Sequence, residues 1–313
     1  MAKTPTVPKK ILLPTDLSGQ ARGALRYASA LAQHTGAELH ILHVLTLHGY
    51  DPMLAQSVLD GLQEAFKSLE AELKQQMDDH AARLVPSAVT VRTALRRSMS
   101  PYDAILNYAS EEDIDLIVMA TSGKTGLNYV LLGSVTEKVV EYADLPVLVV
   151  NERERDFVDQ EGKMLLRRIL YPTDFSPASR KAASIALHMA QEAGADILLT
   201  NVIEAHKHDV ELIPPDAAKA DENLAPKLDL LQREARLLFG DQVPVRLRLG
   251  RGPVPNTLVA TAREDAADLI VLSSQGEDSF VDRLLGSVAE RLLRLAPCPM
   301  LVVKVDESNG ADD

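Results

Sequence analysis

Two short stretches of the chain carry residue types suited to holding an anionic, phosphate-bearing ligand. The first is Pro14, Thr15 and Asp16, which follow an apolar run at 10–13. The second starts at Ala120 after another apolar run, continues through Gly123 and Lys124, and reaches Gly133 and Ser134. A glycine lets a phosphate approach the backbone closely, and a helix opening at Gly133 would offer unpaired N–H groups and the positive end of its dipole. Lys124 adds a cation beside them. The same residues have a plainer reading, in which Gly133 and Ser134 merely start a helix and Ser134 with Glu137 forms a capping box. Asp16 can likewise be a turn former or a helix cap.

Two familiar phosphate motifs are absent. Gly123, Lys124 and Thr125 end like a Walker A loop, but the first glycine of that motif would fall at Val118. No G-x-G-x-x-G follows the first apolar run of either half, which removes NAD and FAD as expected ligands. His206 and His208, near Glu204 and Asp209, could bind zinc, yet no second spaced ligand pair accompanies them and a solvated loop is expected. His40 and His43 are an odd number of residues apart in a strand, so they face opposite sides and share no ligand. Cys298 reads as a core residue, and Lys9, Lys10, Arg167 and Arg168 as solvated strand ends. No catalytic constellation is legible.

The elements that must position these residues are written twice. Ile11–Ser18 (ILLPTDLS) recurs as Ile169–Ser176 (ILYPTDFS), and Thr35–Glu38 recurs as Ala193–Asp196 at the same spacing. Further on, the spacing Gly-x9-Gly-Ser appears at Gly123, Gly133 and Ser134 and again at Gly276, Gly286 and Ser287, and both copies close on Pro-x-Leu-Val-Val. The chain is therefore read as a tandem duplication: 1–151, a charged linker at 152–164, 165–306, and a disordered tail at 307–313. β-branched and leucine runs at 10–13, 38–44, 89–95, 115–120 and 146–150 alternate with helical patterns, and the second copy repeats them at 168–171, 196–202, 243–249, 268–272 and 299–303. This predicts an α/β fold of two tandem, doubly wound, open parallel sheets, each with five strands in the order 3-2-1-4-5 (Rossmann-like, flavodoxin-type) and four helices. Continuous runs at Leu116–Met119 and Leu269–Leu272 suit central strands buried on both faces. In such sheets ligands sit beyond the C-terminal ends of the strands where strand order reverses, which selects the same two loops.

Composition narrows the function classes. With 313 residues the chain is long enough for about two domains, and 46% apolar with 25% charged residues is ordinary for a globular protein. Acidic residues outnumber basic ones 45 to 33, for a formal charge of -12, which disfavours nucleic acid and anionic lipid as partners. One cysteine permits no intrachain disulfide and fits a reducing compartment. Without a signal-peptide pattern or an apolar run of membrane-spanning length, a cytoplasmic location and no membrane insertion are expected.

On these motifs the chain resembles a tandem universal stress protein over nearly its whole length. Nucleotide-binding members of that family carry G-x2-G-x9-G-[ST], with Ala120 standing here where the first glycine would be. The resemblance implies ATP or ADP, with Mg²⁺, in the first half: Ala120, Gly123, Lys124, Gly133, Ser134, Val135 and Thr136 around the phosphates, and Pro14, Thr15, Asp16, Val44 and Met119 around the adenosine. The second half offers Pro172, Thr173, Asp174, Val202, Ser273, Gly276, Gly286, Ser287 and Val288. There Glu277 and Asp278 replace Lys124 and Thr125, and Ala289 replaces Thr136, so binding is expected to be weak or missing. The resemblance further implies an intrachain pseudo-dimer through the closing strands, a homodimer of the whole chain, and an unidentified protein partner. The function it implies is a nucleotide-responsive stress or regulatory module with little or no catalysis. A nucleotide-independent interaction scaffold and a slow Mg²⁺-dependent ATPase are the alternatives.

Overall fold

Each apolar run becomes a strand because alternate residues are buried on opposite faces of one sheet. The computed structural model describes residues 7–18, 21–46, 56–121, 132–151, 154–205, 209–274 and 285–304, with the side chains of 56–65 left aside. The first half comprises β1 (Lys10–Pro14), α1 (Ala21–Thr35), β2 (Glu38–Thr46), α2 (Gln56–Leu84), β3 (Val91–Ser98), α3 (Pro101–Glu111), β4 (Leu116–Ala120), α4 (Ser134–Tyr142) and β5 (Val147–Val150). The second half comprises β6 (Arg168–Pro172), α5 (Pro177–Lys181), α6 (Ala183–Ala193), β7 (Asp196–Glu204), β8 (Glu211–Ile213), α7 (Pro215–Ala220), α8 (Ala225–Phe239), β9 (Val245–Gly252), α9 (Val254–Glu264), β10 (Leu269–Ser273), α10 (Ser287–Leu295) and β11 (Met300–Val303).

Both halves adopt the 3-2-1-4-5 order with parallel strands, as β3-β2-β1-β4-β5 and β9-β7-β6-β10-β11. The sheets of the two halves meet edge to edge. β5 pairs antiparallel with β11, Val149 opposite Met300 and Leu148 opposite Leu301, so the halves share one eleven-stranded sheet. Leu116 and Val118 join the core on the α1 and α2 side, Ile117 and Met119 that on the α3 and α4 side. That two-sided burial explains the unbroken apolar run.

The second half also departs from the expected five strands and four helices. The helix after β6 is divided at Ala182, α7 is additional, and β8 pairs antiparallel with β9. Glycine makes that added strand possible. Gly252 has φ +138°, and a Cβ there would lie 2.9 Å from the Asp209 carbonyl of the segment entering β8.

The described part of the charged connection, 154–164, keeps most of its charges at the surface but buries two apolar residues. Phe157 and Val158 are fully buried, and Val158 bridges to Met164. Phe157 meets the Tyr27 ring of α1 edge-to-face at 4.7 Å, while the Tyr27 hydroxyl donates to Asp156 Oδ1 at 2.7 Å and accepts from Phe157 N at 3.2 Å. Burial, reinforced by the Asp156 carboxylate, pushes that hydroxyl well above the usual phenol range. Arg26 Nη1 donates to the Val158 carbonyl and Nη2 to Asp156 Oδ2, both at 2.7 Å. One residue earlier, and toward the second half, Arg155 pairs with Asp268 at 2.8 Å. Segment 154–164 is thus a strap between α1 and the second half. Arg168, expected as a solvated end, instead makes a two-pronged bond to Asp196 at 2.6 and 2.8 Å and donates to the Asp265 carbonyl.

His40 of β2 is fully buried, with Nδ1 2.9 Å from the Tyr108 hydroxyl of α3 and Nε2 3.6 Å from Glu38. Burial lowers its pKa; Glu38 and Glu112 oppose that effect and Arg92 adds to it. The folded state therefore prefers the neutral ring, and stability must fall as pH drops below the ordinary histidine value of about 6.5. The denaturant midpoint is expected to be lower at pH 5.5 than at pH 7.5, and His40→Gln should narrow the difference. An unchanged difference would contradict this account.

Candidate functional site

The Pro-Thr-Asp repeat encodes a turn. β1 ends at Pro14, and Thr15 N extends the ladder by donating to the Leu42 carbonyl at 2.8 Å. The backbone then reverses through Leu17 at φ +60°, held by Leu17 N donating to Thr15 Oγ1 at 3.0 Å and Ser18 N to Asp16 Oδ1 at 2.9 Å. A non-glycine residue at positive φ costs energy and persists where neighbours hold it. The second half builds the same turn from Phe175 at φ +67°, with Phe175 N on Thr173 Oγ1 at 3.0 Å and Ser176 N on Asp174 Oδ1 at 2.9 Å. Asp16 and Asp174 are turn formers here, each with an exposed side chain.

Across from this turn, Thr121 N donates to the Val150 carbonyl at 3.0 Å and Gly133 N to the Thr121 carbonyl at 2.7 Å, bringing α4 to the end of β4. Gly133 is the N-cap, with φ -65° and ψ 138°, and no side chain caps the helix. The expected capping box does not form: Ser134 is already the first helical residue, and Glu137 lies 3.4 Å from Arg294 of α10. The first-turn amides of Ser134, Val135 and Thr136 have no intrahelical acceptor and carry the positive end of the helix dipole. Thr136 Oγ1 donates to the Ala120 carbonyl at 2.9 Å, fixing α4 to β4.

Between these elements lies a cavity of about 390 Å³. Pro14, Thr15, Asp16, Val44, Met119, Ala120, Gly133, Ser134, Val135 and Thr136 all line it. Gly123 and Lys124 lie outside the described residues. The wall also includes Ser18, Ala21, Leu42, His43, Thr46, Pro101 and Ile105, which reading the sequence missed. Pro101 and Ile105 were within reach, because they follow the third strand and the rule about C-terminal strand ends applies to that loop too. A roomier opening of about 560 Å³ lies between the end of α8 and the start of β9, around Gly240–Pro244. It sits at the N-terminal ends of the strands, away from where open α/β sheets bind ligands.

In the second half Pro172 ends β6, Val202 lies on β7, Ser273 ends β10, and Thr173 N bonds the Thr200 carbonyl at 2.9 Å. Gly286 caps α10 with no side-chain contribution, and its N–H bonds the Ser274 carbonyl at 2.9 Å, so Ser287 and Val288 open that helix as Ser134 and Val135 open α4. Among the changes between the halves are Thr200 for Leu42, Asn201 for His43, Glu204 for Thr46, Ser273 for Ala120, and the buried Ala289 for Thr136. Gly276, Glu277 and Asp278 lie outside the described residues, as do His206, His208 and 307–313. Among the described residues no group of three or more His, Cys, Asp or Glu is placed to hold a metal, and no helix is long and apolar enough to cross a membrane. Cys298 is fully buried, and burial, with Asp268 nearby, pushes its thiol far above the usual range, away from the reactive thiolate.

Comparison with known proteins matches the universal stress protein family to residues 8–151 and again to residues 166–304. A universal stress protein of Mycolicibacterium smegmatis is 27% identical over 305 residues, covering 94% of this chain and 96% of that one. One from Methanocaldococcus jannaschii is 32% identical over 148 residues, covering 47% of this chain and 85% of its own length. Among solved structures, a universal stress protein from Archaeoglobus fulgidus superposes with a TM-score of 0.61 at 22% identity, covering 95% of this chain and 98% of that one.

Proposed function

Because the chain belongs to the universal stress protein family, we propose that its first half binds an adenine nucleotide, ATP or ADP, in the cavity between the Pro14–Ser18 turn and the start of α4. The observation that carries this reading is the uncapped N-terminus of α4 at one wall of that cavity. Amides without an intrahelical acceptor, together with the helix dipole, favour phosphate, and the apolar Val44, Ile105 and Met119 offer a surface for a base. Mg²⁺ would accompany the nucleotide, held chiefly by phosphate oxygens and water, with the exposed Asp16 as the carboxylate on the cavity wall. Gly123 and Lys124 would add phosphate contacts. The second half, without the Thr136 hydroxyl and with Glu277 and Asp278 in its loop, would bind weakly or not at all.

The protein then acts in the cytoplasm as a regulatory module whose nucleotide state sets the surface at the cavity mouth, with little or no catalysis. A homodimer of this chain would use a face other than the β5 and β11 edges, which already pair with each other.

The test is titration of the full chain with ATP and with ADP by calorimetry. About one equivalent should bind. Gly133→Asp should weaken binding by on the order of a hundredfold, since it sets a carboxylate among the phosphates. It should not lower the melting temperature, because Asp is a good helix cap. Gly286→Asp should leave the stoichiometry unchanged. No binding of either nucleotide by the wild-type chain would end the proposal.

A further inference from the structure

The residue before Val44 differs from its counterpart in the second half, yet the two do the same thing. In β2, His43 Nδ1 lies 2.8 Å from the Thr15 carbonyl. In β7, Asn201 Nδ2 donates to the Thr173 carbonyl, also at 2.8 Å. A carbonyl only accepts, so Nδ1 must carry the hydrogen of the His43 ring. An imidazole and a carboxamide have little in common beyond a flat side chain with an N–H donor at that reach. Two different residues meeting one requirement identify the requirement as the donor.

What the donor secures is the strained turn. Thr15 is held at three points: its amide by the Leu42 carbonyl, its hydroxyl by Leu17 N, and its carbonyl by His43. Leu17, two residues on, sits at φ +60°. Removing the third tie leaves the turn free to relax toward ordinary backbone, carrying Pro14, Thr15 and Asp16 with it. His43 also lines the cavity, so the brace and the ligand share one wall.

We infer that His43 is a positioning residue of the first site, holding the Pro14–Asp16 turn in the shape that receives the nucleotide, and that Asn201 is its equivalent in the second half. For the nucleotide this rests on the function proposed above; for the turn it stands alone.

The experiment compares full-length wild type, His43→Asn and His43→Ala. NMR hydrogen exchange of the Thr15 and Leu17 amides is followed in nucleotide-free protein, and ADP is titrated separately. One lost hydrogen bond corresponds to about tenfold. His43→Ala is therefore expected to speed exchange at these amides about tenfold and to weaken ADP by a similar factor. His43→Asn, which copies the second half, should stay within about threefold of wild type in both. Unchanged exchange in His43→Ala, or His43→Asn behaving like His43→Ala, would overturn the brace. Faster exchange with unaltered ADP affinity would overturn its role in ligand positioning. A wild type that binds no ADP would count against the nucleotide reading, and the exchange rates would still decide the brace.

Discussion

Replacing Asp268 by alanine is expected to cost about 3–4 kcal/mol of folding stability. The carboxylate is almost fully buried at the start of β10. Its Oδ2 accepts the backbone amides of Arg167 and Arg168 at 2.9 and 3.0 Å, and its Oδ1 accepts Arg155 Nη2 at 2.8 Å. Truncation orphans two amides at the edge of the core and releases the strap. Arg155 is partly exposed and can rehydrate, so most of the cost comes from the amides. The first half supplies the comparison. Asp115 accepts the amides of Lys9 and Lys10 at 2.9 and 3.1 Å in the same way, but it is only half-buried. Asp115→Ala should therefore be milder. Denaturant midpoints of the two variants check this, and equal losses would show that burial does not set the cost.

Phe157→Ala is expected to lose about 3–5 kcal/mol, the range for emptying a buried aromatic site. The ring is fully buried and packs edge-to-face on Tyr27, whose hydroxyl in turn holds Asp156. A surface linker would tolerate the change with a loss under about 0.5 kcal/mol. Urea unfolding distinguishes the two outcomes directly. A small loss would mean that segment 154–164 is detached from α1 in solution.

These two sites also show where the sequence was legible and where it was not. The strands and their order follow from runs such as Leu116–Met119, whose burial on both faces leaves no room for a polar position. The Pro-Thr-Asp repeat was legible as a pair of matching loops because the strained turn demands the Thr and Asp oxygens at fixed offsets. The strap was not legible. Phe157 and Val158 are two apolar residues among charges, with no period of their own, and only Tyr27, far away in the chain, completes their environment. The capping box failed because a pattern of Ser and Glu three apart does not say which residue starts the helix. Gly133, tied to Thr121, takes the cap position and leaves the amides open. Strand parity separates His43 from His40 but says nothing of what the His43 ring can hold at the end of its strand. The three residues of β8 carry no signal of their own, since the segment that enters β8 passes Gly252 at a distance a side chain there would not allow.

The antiparallel seam between β5 and β11 has a consequence for how the protein is made. β11 comes much later in the chain than β5, so during synthesis the first half emerges with β5 as an open edge. At about 5–20 residues per second, the roughly 150 residues between the two strands take on the order of 8–30 s to appear. For that interval an apolar strand, Val147–Val150, offers unpaired N–H and C=O groups to any neighbouring nascent chain. Two ribosomes on one message would present the same edge side by side, so the duplicated chain carries its own cap, delivered late.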